Sequence, residues 1–199
     1  HELRRMMLMA QKNVDASFRS VLERNEEELS EVEKTEEYID FLNKEISLHV
    51  SHLIAYETNE KASAEVSGFL VISGNIERIG DHADNLAGYT RLLNQRKISF
   101  SPEAQQEITA MRDICMDGMD QLLSPQAGSE QWLAQVSDLE QRIDDMTRDY
   151  RRGHLVRMQA GGCSAEAGIL YAELLTDFER IGDHVLNIAQ ELAKVHQHI

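Results

Sequence analysis

The sequence predicts an all-α chain of six helices, arranged as two tandem, pseudo-symmetric three-helix bundles. Three observations carry this. The hexapeptide Glu-Arg-Ile-Gly-Asp-His stands at 77–82 and again at 179–184, a shift of 102 residues that also places Asn85 on Asn187. Around it Phe69, Ile72, Ile76, Ile79, Ala83 and Leu86 map onto Tyr171, Leu174, Phe178, Ile181, Val185 and Ile188. Their intervals of three and four residues are those of an apolar stripe on a packed helix. The third observation is what is rare: only 2 prolines occur, Pro102 and Pro125, both between periodic segments, and β-branched runs bounded by turn residues are missing.

In order, helices are expected at 2–27, 30–57, 62–97, 102–123, 129–159 and 164–197. The first carries Met6, Met7 and Met9 at an end expected to meet sequence beyond it. The second contains Val32, Glu36, Ile39 and Asp40, which recur in the fifth as Val136, Glu140, Ile143 and Asp144 with a shift of 104. The difference of two residues from the hexapeptide's shift belongs near 56–65 in one copy and 160–165 in the other. The third and sixth helices hold the hexapeptides. Gly80 and Gly182, costly within a helix, predict that a neighbouring helix approaches the backbone there. The fourth helix opens on Ser101-Pro102-Glu103, a cap, a first-turn proline and an acid favoured by the helix dipole. The loop 124–129 leads into the fifth, where Trp132 is expected as a core anchor. The repeats divide at 1–98 and 99–199, and spacing leaves open whether they form two bundles side by side or one merged body.

Composition excludes several classes. A net charge of −15, from 35 acids and 20 bases, opposes binding to nucleic acid or to an anionic membrane surface. No stretch approaches the roughly 18–20 apolar residues of a membrane span. Cys115 and Cys163 form no metal or redox motif and read as reduced core thiols. His49, His52, His196 and His198 have no matched constellation. No nucleophile–base pairing, P-loop or dinucleotide fingerprint is present, and no histidine has a glutamate three residues before it, as a ferritin-like di-iron site requires.

The chemistry lies in four carboxylate pairs: Glu36 with Asp40, Glu77 with Asp81, Glu140 with Asp144, and Glu179 with Asp183. Each is Glu-x-x-x-Asp, which sets two like charges one turn apart on one helix face, an arrangement that repels. A hard divalent or trivalent cation held between adjacent helices would relieve that repulsion, with Asn85 and Asn187 as further oxygen donors and His82 and His184 as flanking partners. The same stripes also read as solvated faces neutralised by Arg78 or Arg180, or as partners of Arg91 or Arg142 across helices. Spacing alone leaves both readings open.

Two three-helix repeats, each with a Glu-Arg-Ile-Gly-Asp-His-x-x-Asn motif, resemble the PhoU family over nearly the whole chain. The resemblance implies two symmetric three-helix bundles and negative regulation of phosphate uptake and signalling without catalysis. It also implies that iron, zinc or a similar metal is held by the Glu-x-x-x-Asp pairs, first Glu77, Asp81, Glu179 and Asp183, then Glu36, Asp40, Glu140 and Asp144. Where free-standing members carry a Pro-x-x-x-Asp-Leu-Arg-type segment, this chain has Thr58–Glu65 and Gly162–Gly168. Those segments are more similar to the PhoU-like domain at the C-terminus of bacterial sodium/phosphate cotransporters. The missing initial methionine agrees with that placement. The first expectation is therefore a cytoplasmic regulatory domain, tethered to the inner membrane through the transmembrane part of a transporter in the same polypeptide, with a homodimer as a further association. The alternative is a free-standing regulator of a phosphate ABC transporter and its sensor kinase; a metal-dependent phosphohydrolase is the third reading.

Overall fold

Six helices form in the computed structural model: α1 (Glu2–Glu23), α2 (Leu29–Tyr56), α3 (Glu60–Gln95), α4 (Pro102–Leu123), α5 (Glu130–Gln159) and α6 (Ala165–Gln197). The described residues are 1–57 and 59–197, with the side chains of Glu60, His196 and Gln197 excepted; Thr58, His198 and Ile199 lie outside them. Among the described residues there is no strand.

The caps explain the boundaries. Ser101 Oγ accepts from the Ala104 amide at the start of α4, Ser129 Oγ from Trp132 at the start of α5, and Asn59 Oδ1 from Lys61 and Ala62 at the start of α3. Helix α1 stops four residues before its predicted end. Arg24 adopts φ 56° in the left-handed region, its amide turns back to Ser20, and its guanidinium bonds Leu93 O, Asn94 Oδ1 and Ser99 Oγ. Those bonds reach across about 70 residues of sequence, so no local signal announces them.

Helix α3 is central. It packs on α1 and α2 of its own repeat and along α6 of the other, while α1 also meets α4, and α6 rests on α4 and α5. The interior is continuous: Phe18, Ile39, Ile76 and Leu86 from the first repeat join Ile108, Trp132, Leu174 and Phe178 from the second. Trp132 is an anchor as expected, its ring buried and its Nε1 donating to Gln121 O at 2.9 Å. Met6 and Met7, expected to face sequence beyond the chain's end, lie in the core instead. Cys115 is a buried free thiol, whereas Cys163 is half-buried in the α5–α6 connection rather than in the core.

Candidate metal centres and the seam between repeats

The two predicted close approaches meet equivalent partners. A Cβ built on Gly80 would lie 3.6 Å from Ile39 Cδ1, and one built on Gly182 would lie 2.9 Å from Ile143 Cγ2. Ile39 and Ile143 are counterparts under the shift of 104, so one device brings α3 to α2 and α6 to α5. The contact is ordinary in the first repeat and too close for a side chain in the second. Gly80→Ala is accordingly expected to be neutral or to stabilise by up to about 1 kcal/mol through helix propensity. Gly182→Ala is expected to destabilise by about 1–3 kcal/mol by forcing α5 and α6 apart. Urea unfolding of the two variants checks the contrast.

That close approach assembles an acid cluster. Ile143 lies between Glu140 and Asp144 on α5, and Gly182 precedes Asp183 on α6, so three carboxylates converge where the backbones meet. Oxygens of Glu140, Asp144 and Asp183 all lie within 4.8 Å of one another, and all three side chains are half-buried. Burial first, then the charges of Asp144 and Asp183, push the Glu140 carboxyl above its usual range. Glu179, the fourth predicted member, is instead 3.7 Å from Arg151. Asp183 also touches Arg180 at 3.1 Å, one turn away on the exposed face.

The first repeat holds the matching acids more loosely. Glu36 is the one that feels the most of its neighbours. Its carboxyl is pushed up to about 7 by burial and then by Asp81, Asp84, Asp40 and Glu77. Burial and Asp81 raise Glu77 as well. Asp40 is drawn off by Lys44 at 2.5 Å. In the second repeat the residue equivalent to Lys44 is Arg148, which pairs with Asp145 and leaves Asp144 facing the cluster. Arg78 stands 3.8 Å from Glu77 and 3.9 Å from Asp81, and Arg91 pairs with Glu33 rather than with a predicted site acid. Asp84, which the sequence reading did not single out, adds a further acid here. Its Oδ1 is buried without a hydrogen-bond partner, and burial raises its carboxyl. The equivalent position in the second repeat is Leu186.

The histidines and asparagines of the repeated motif do something different. Four-residue steps drift about 40° round a helix, and the residue after the aspartate is turned about 100°, so these side chains leave the acid face. They form the seam between α3 and α6. His82 Nδ1 is 2.7 Å from Asp177 Oδ1, and Asn85 Nδ2 and Tyr89 Oη donate to the same carboxylate at 3.1 and 2.6 Å. Across the pseudo-twofold axis His184 Nδ1 is 2.9 Å from Asn75 Oδ1, which also accepts from Asn187 Nδ2 at 3.3 Å. Asn75 and Asp177 are themselves equivalents under the shift of 102. The two imidazoles stack between them at 5.5 Å. Burial, and next the neighbouring His82, lower His184 to about 4. Asn85 and Asn187 are therefore seam residues in this structure, not an extension of the acid stripe.

The family model described as the PhoU domain matches residues 3–90 and 108–192, one match in each repeat. The chain belongs to the PhoU family. Among relatives, the phosphate-specific transport system accessory protein PhoU homolog 1 of Thermotoga maritima is 26% identical over 194 residues, covering 96% of this chain and 82% of that protein. A PhoU homolog of the same description from Xylella fastidiosa strain 9a5c is 28% identical over 193 residues, covering 96% and 80%. Two crystal structures share the fold. PhoU from Pseudomonas aeruginosa aligns with a TM-score of 0.90 at 18% identity, covering 99% of this chain and 94% of that one. The phosphate transport system regulatory protein PhoU from Streptococcus pneumoniae aligns at 0.84 and 15% identity, covering 97% and 90%.

These matches correct one expectation. The sequence reading placed the domain in one polypeptide with the transmembrane part of a cotransporter. The PhoU relatives are accessory proteins in their own right, and the chain spans about four-fifths of each, leaving no length in them for a transporter. Among the described residues no helix is long and apolar enough to cross a membrane. The departures at 58–65 and 162–168 misled because they fall at the α2–α3 and α5–α6 connections and in the opening turns of α3 and α6, away from the repeated hexapeptides.

Proposed function

We propose that this chain is a PhoU-type regulator of phosphate transport, acting as an accessory protein on a transporter and sensor kinase encoded as separate chains. The observation that carries the reading is the match, over 96% of the chain, to proteins named as accessory to a phosphate-specific transport system. The acid clusters give that regulator an input. Glu140, Asp144 and Asp183 form an oxygen-only donor set open to solvent on one side, which suits a hard cation such as iron or manganese better than zinc. Glu36, Asp40, Glu77, Asp81 and Asp84 supply the counterpart in the first repeat. A bound cation would offset the mutual repulsion of these acids and hold α5 to α6 and α2 to α3. Catalysis has no part in this reading: the acids hold the helix pairs, and the regulated act is transport by another protein.

The test is genetic. Deleting the gene is expected to leave phosphate uptake unrestrained in phosphate-replete cells, and the wild-type chain supplied in trans should restore restraint. A triple variant, Glu140→Gln, Asp144→Asn, Asp183→Asn, is expected to restore it poorly. Uptake that is identical with and without the gene would refute the regulatory reading. Full restoration by the triple variant would refute the role given to the acids.

A further inference from the structure

Between the two repeats the core opens to solvent. Helices α1 and α3 of the first repeat and α4 and α6 of the second surround a cavity of about 310 Å³. Its walls are apolar, with Leu3, Met7, Phe69 and Ile72 from one repeat and Ile188 and Leu192 from the other. The polar lining among the described residues is His1, Arg4 and Ser124, and none of the three is an acid. A chain of net charge −15 thus keeps its acids off this opening.

The internal duplication supplies a control. Helix α1 maps onto α4 with a shift of 101, which places Arg4 on Gln105, Met7 on Ile108 and Val21 on Leu122. The pseudo-symmetric hollow, lined by Val21, Leu22, Gln105 and Ile108, is only about 40 Å³. Phe100 accounts for the difference. It lines that hollow and meets the Tyr171 ring edge-on at 5.9 Å, and Tyr171 is the counterpart of Phe69. Gln105 Nε2 donates to Phe100 O at 3.1 Å and holds this plug in place. In the open copy no ring of a described residue stacks on Phe69, which stays 37% exposed although it belongs to the core stripe of α3. Arg4, standing where the other copy has Gln105, makes no hydrogen bond or ion pair with another described residue.

We infer that this cavity binds a free, single-chain aliphatic carboxylate of medium length. Size sets the tail. An apolar cavity of ~150 Å³ suffices for benzene, so one twice as large takes a chain of roughly ten carbons. Leu3, Phe69, Ile188 and Leu192 would receive that tail, and Arg4 and Ser124 the head group. A guanidinium matches the planar carboxylate with paired donors. Ser124 Oγ accepts from the Gln126 amide at 3.2 Å, which leaves its proton to donate. A two-chain lipid exceeds the volume, and the net charge opposes an anionic bilayer, so the free acid is the occupant. Bound there, it touches helices of both repeats and holds them together.

Isothermal titration of the full chain with decanoate below its micelle concentration tests this. One molecule is expected to bind per chain, with Kd of about 10–100 μM. Octanoate is expected to bind about 10-fold more weakly, because two fewer methylenes are buried. Arg4→Gln, which takes the residue of the equivalent position on α4, should weaken decanoate at least about 10-fold. Leu3→Trp fills the cavity and should abolish binding. Neither residue is buried, so helical circular dichroism and melting temperature of both variants should match the wild type. A wild type that shows no saturable binding overturns the proposal. So does an affinity that ignores chain length, or one that Leu3→Trp leaves undiminished. Binding lost in Leu3→Trp but unchanged in Arg4→Gln overturns the carboxylate as the recognised group.

Discussion

Asp177→Ala is expected to destabilise the protein by about 3–5 kcal/mol, because it strips a buried carboxylate from three donors at once. His82, Asn85 and Tyr89 all end on Asp177, which is 5% exposed, and all three come from α3 while Asp177 belongs to α6. The substitution therefore leaves polar groups unpaired in the interface that joins the repeats, where water cannot easily replace the acceptor. For a chain of this length the loss corresponds to a fall in melting temperature of about 10 °C. The pseudo-symmetric substitution, Asn75→Ala, removes a neutral acceptor with only His184 and Asn187 on it and is expected to cost about 1–2 kcal/mol. Thermal and urea unfolding of the two variants decides the matter. Equal costs would mean that the seam is held by its apolar residues and that the polar bonds contribute little.

The second large effect depends on pH. The Glu36 carboxyl is raised to about 7 in the folded protein, from an ordinary value of 4.5, by burial and four neighbouring acids. The folded state thus holds this proton more tightly than the unfolded chain does. The resulting contribution to stability is complete below pH 4.5 and is lost as pH rises to about 7. Glu36→Gln removes the titration. Without metal it is expected to be more stable than the wild type at pH 7.5, by about 1 kcal/mol once solvent screening of a half-exposed site is allowed for. Below pH 4.5 the two should converge. His184 acts with the opposite sign, since a histidine lowered to about 4 loses stability as pH falls from 6.5, but it is common to both proteins and cancels in the difference. Adding a hard cation at pH 7.5 should reverse the order, because only the wild type keeps the Glu36 carboxylate for the first-repeat site, while the second-repeat acids are common to both proteins. Melting temperatures with and without Mn²⁺ at pH 4 and 7.5 give all the comparisons needed.

The parts of this molecule legible in its sequence are those set by local periodicity. Six helices follow from the 3–4 spacing and from caps such as Ser101 and Ser129, whose partners lie three residues on. The glycine contacts were legible because a costly residue recurs at an equivalent place. Long-range polar bonds were not. The early end of α1 rests on Arg24 reaching Leu93 and Asn94, and the loss of Glu179 from the acid cluster rests on Arg151 of the neighbouring helix. Asp177 and Asn75 were missed although a signal existed: they are polar residues within an apolar stripe, related by the same shift as the hexapeptides. The roles of His82 and His184 depend on those partners and became visible only when α3 and α6 were placed together.

The most direct test of the acid clusters as cation sites is equilibrium dialysis of metal-stripped protein against Mn²⁺ or Fe²⁺ at pH 7.5, with the metal counted by elemental analysis. The wild type is expected to retain about two ions per chain, one for each repeat. The variant Glu140→Gln, Asp144→Asn, Asp183→Asn should retain about one, and adding Asp40→Asn and Asp81→Asn should abolish retention. Binding that is absent in the wild type, or identical in all three proteins, would contradict the account and return these carboxylates to the status of a solvated helix face.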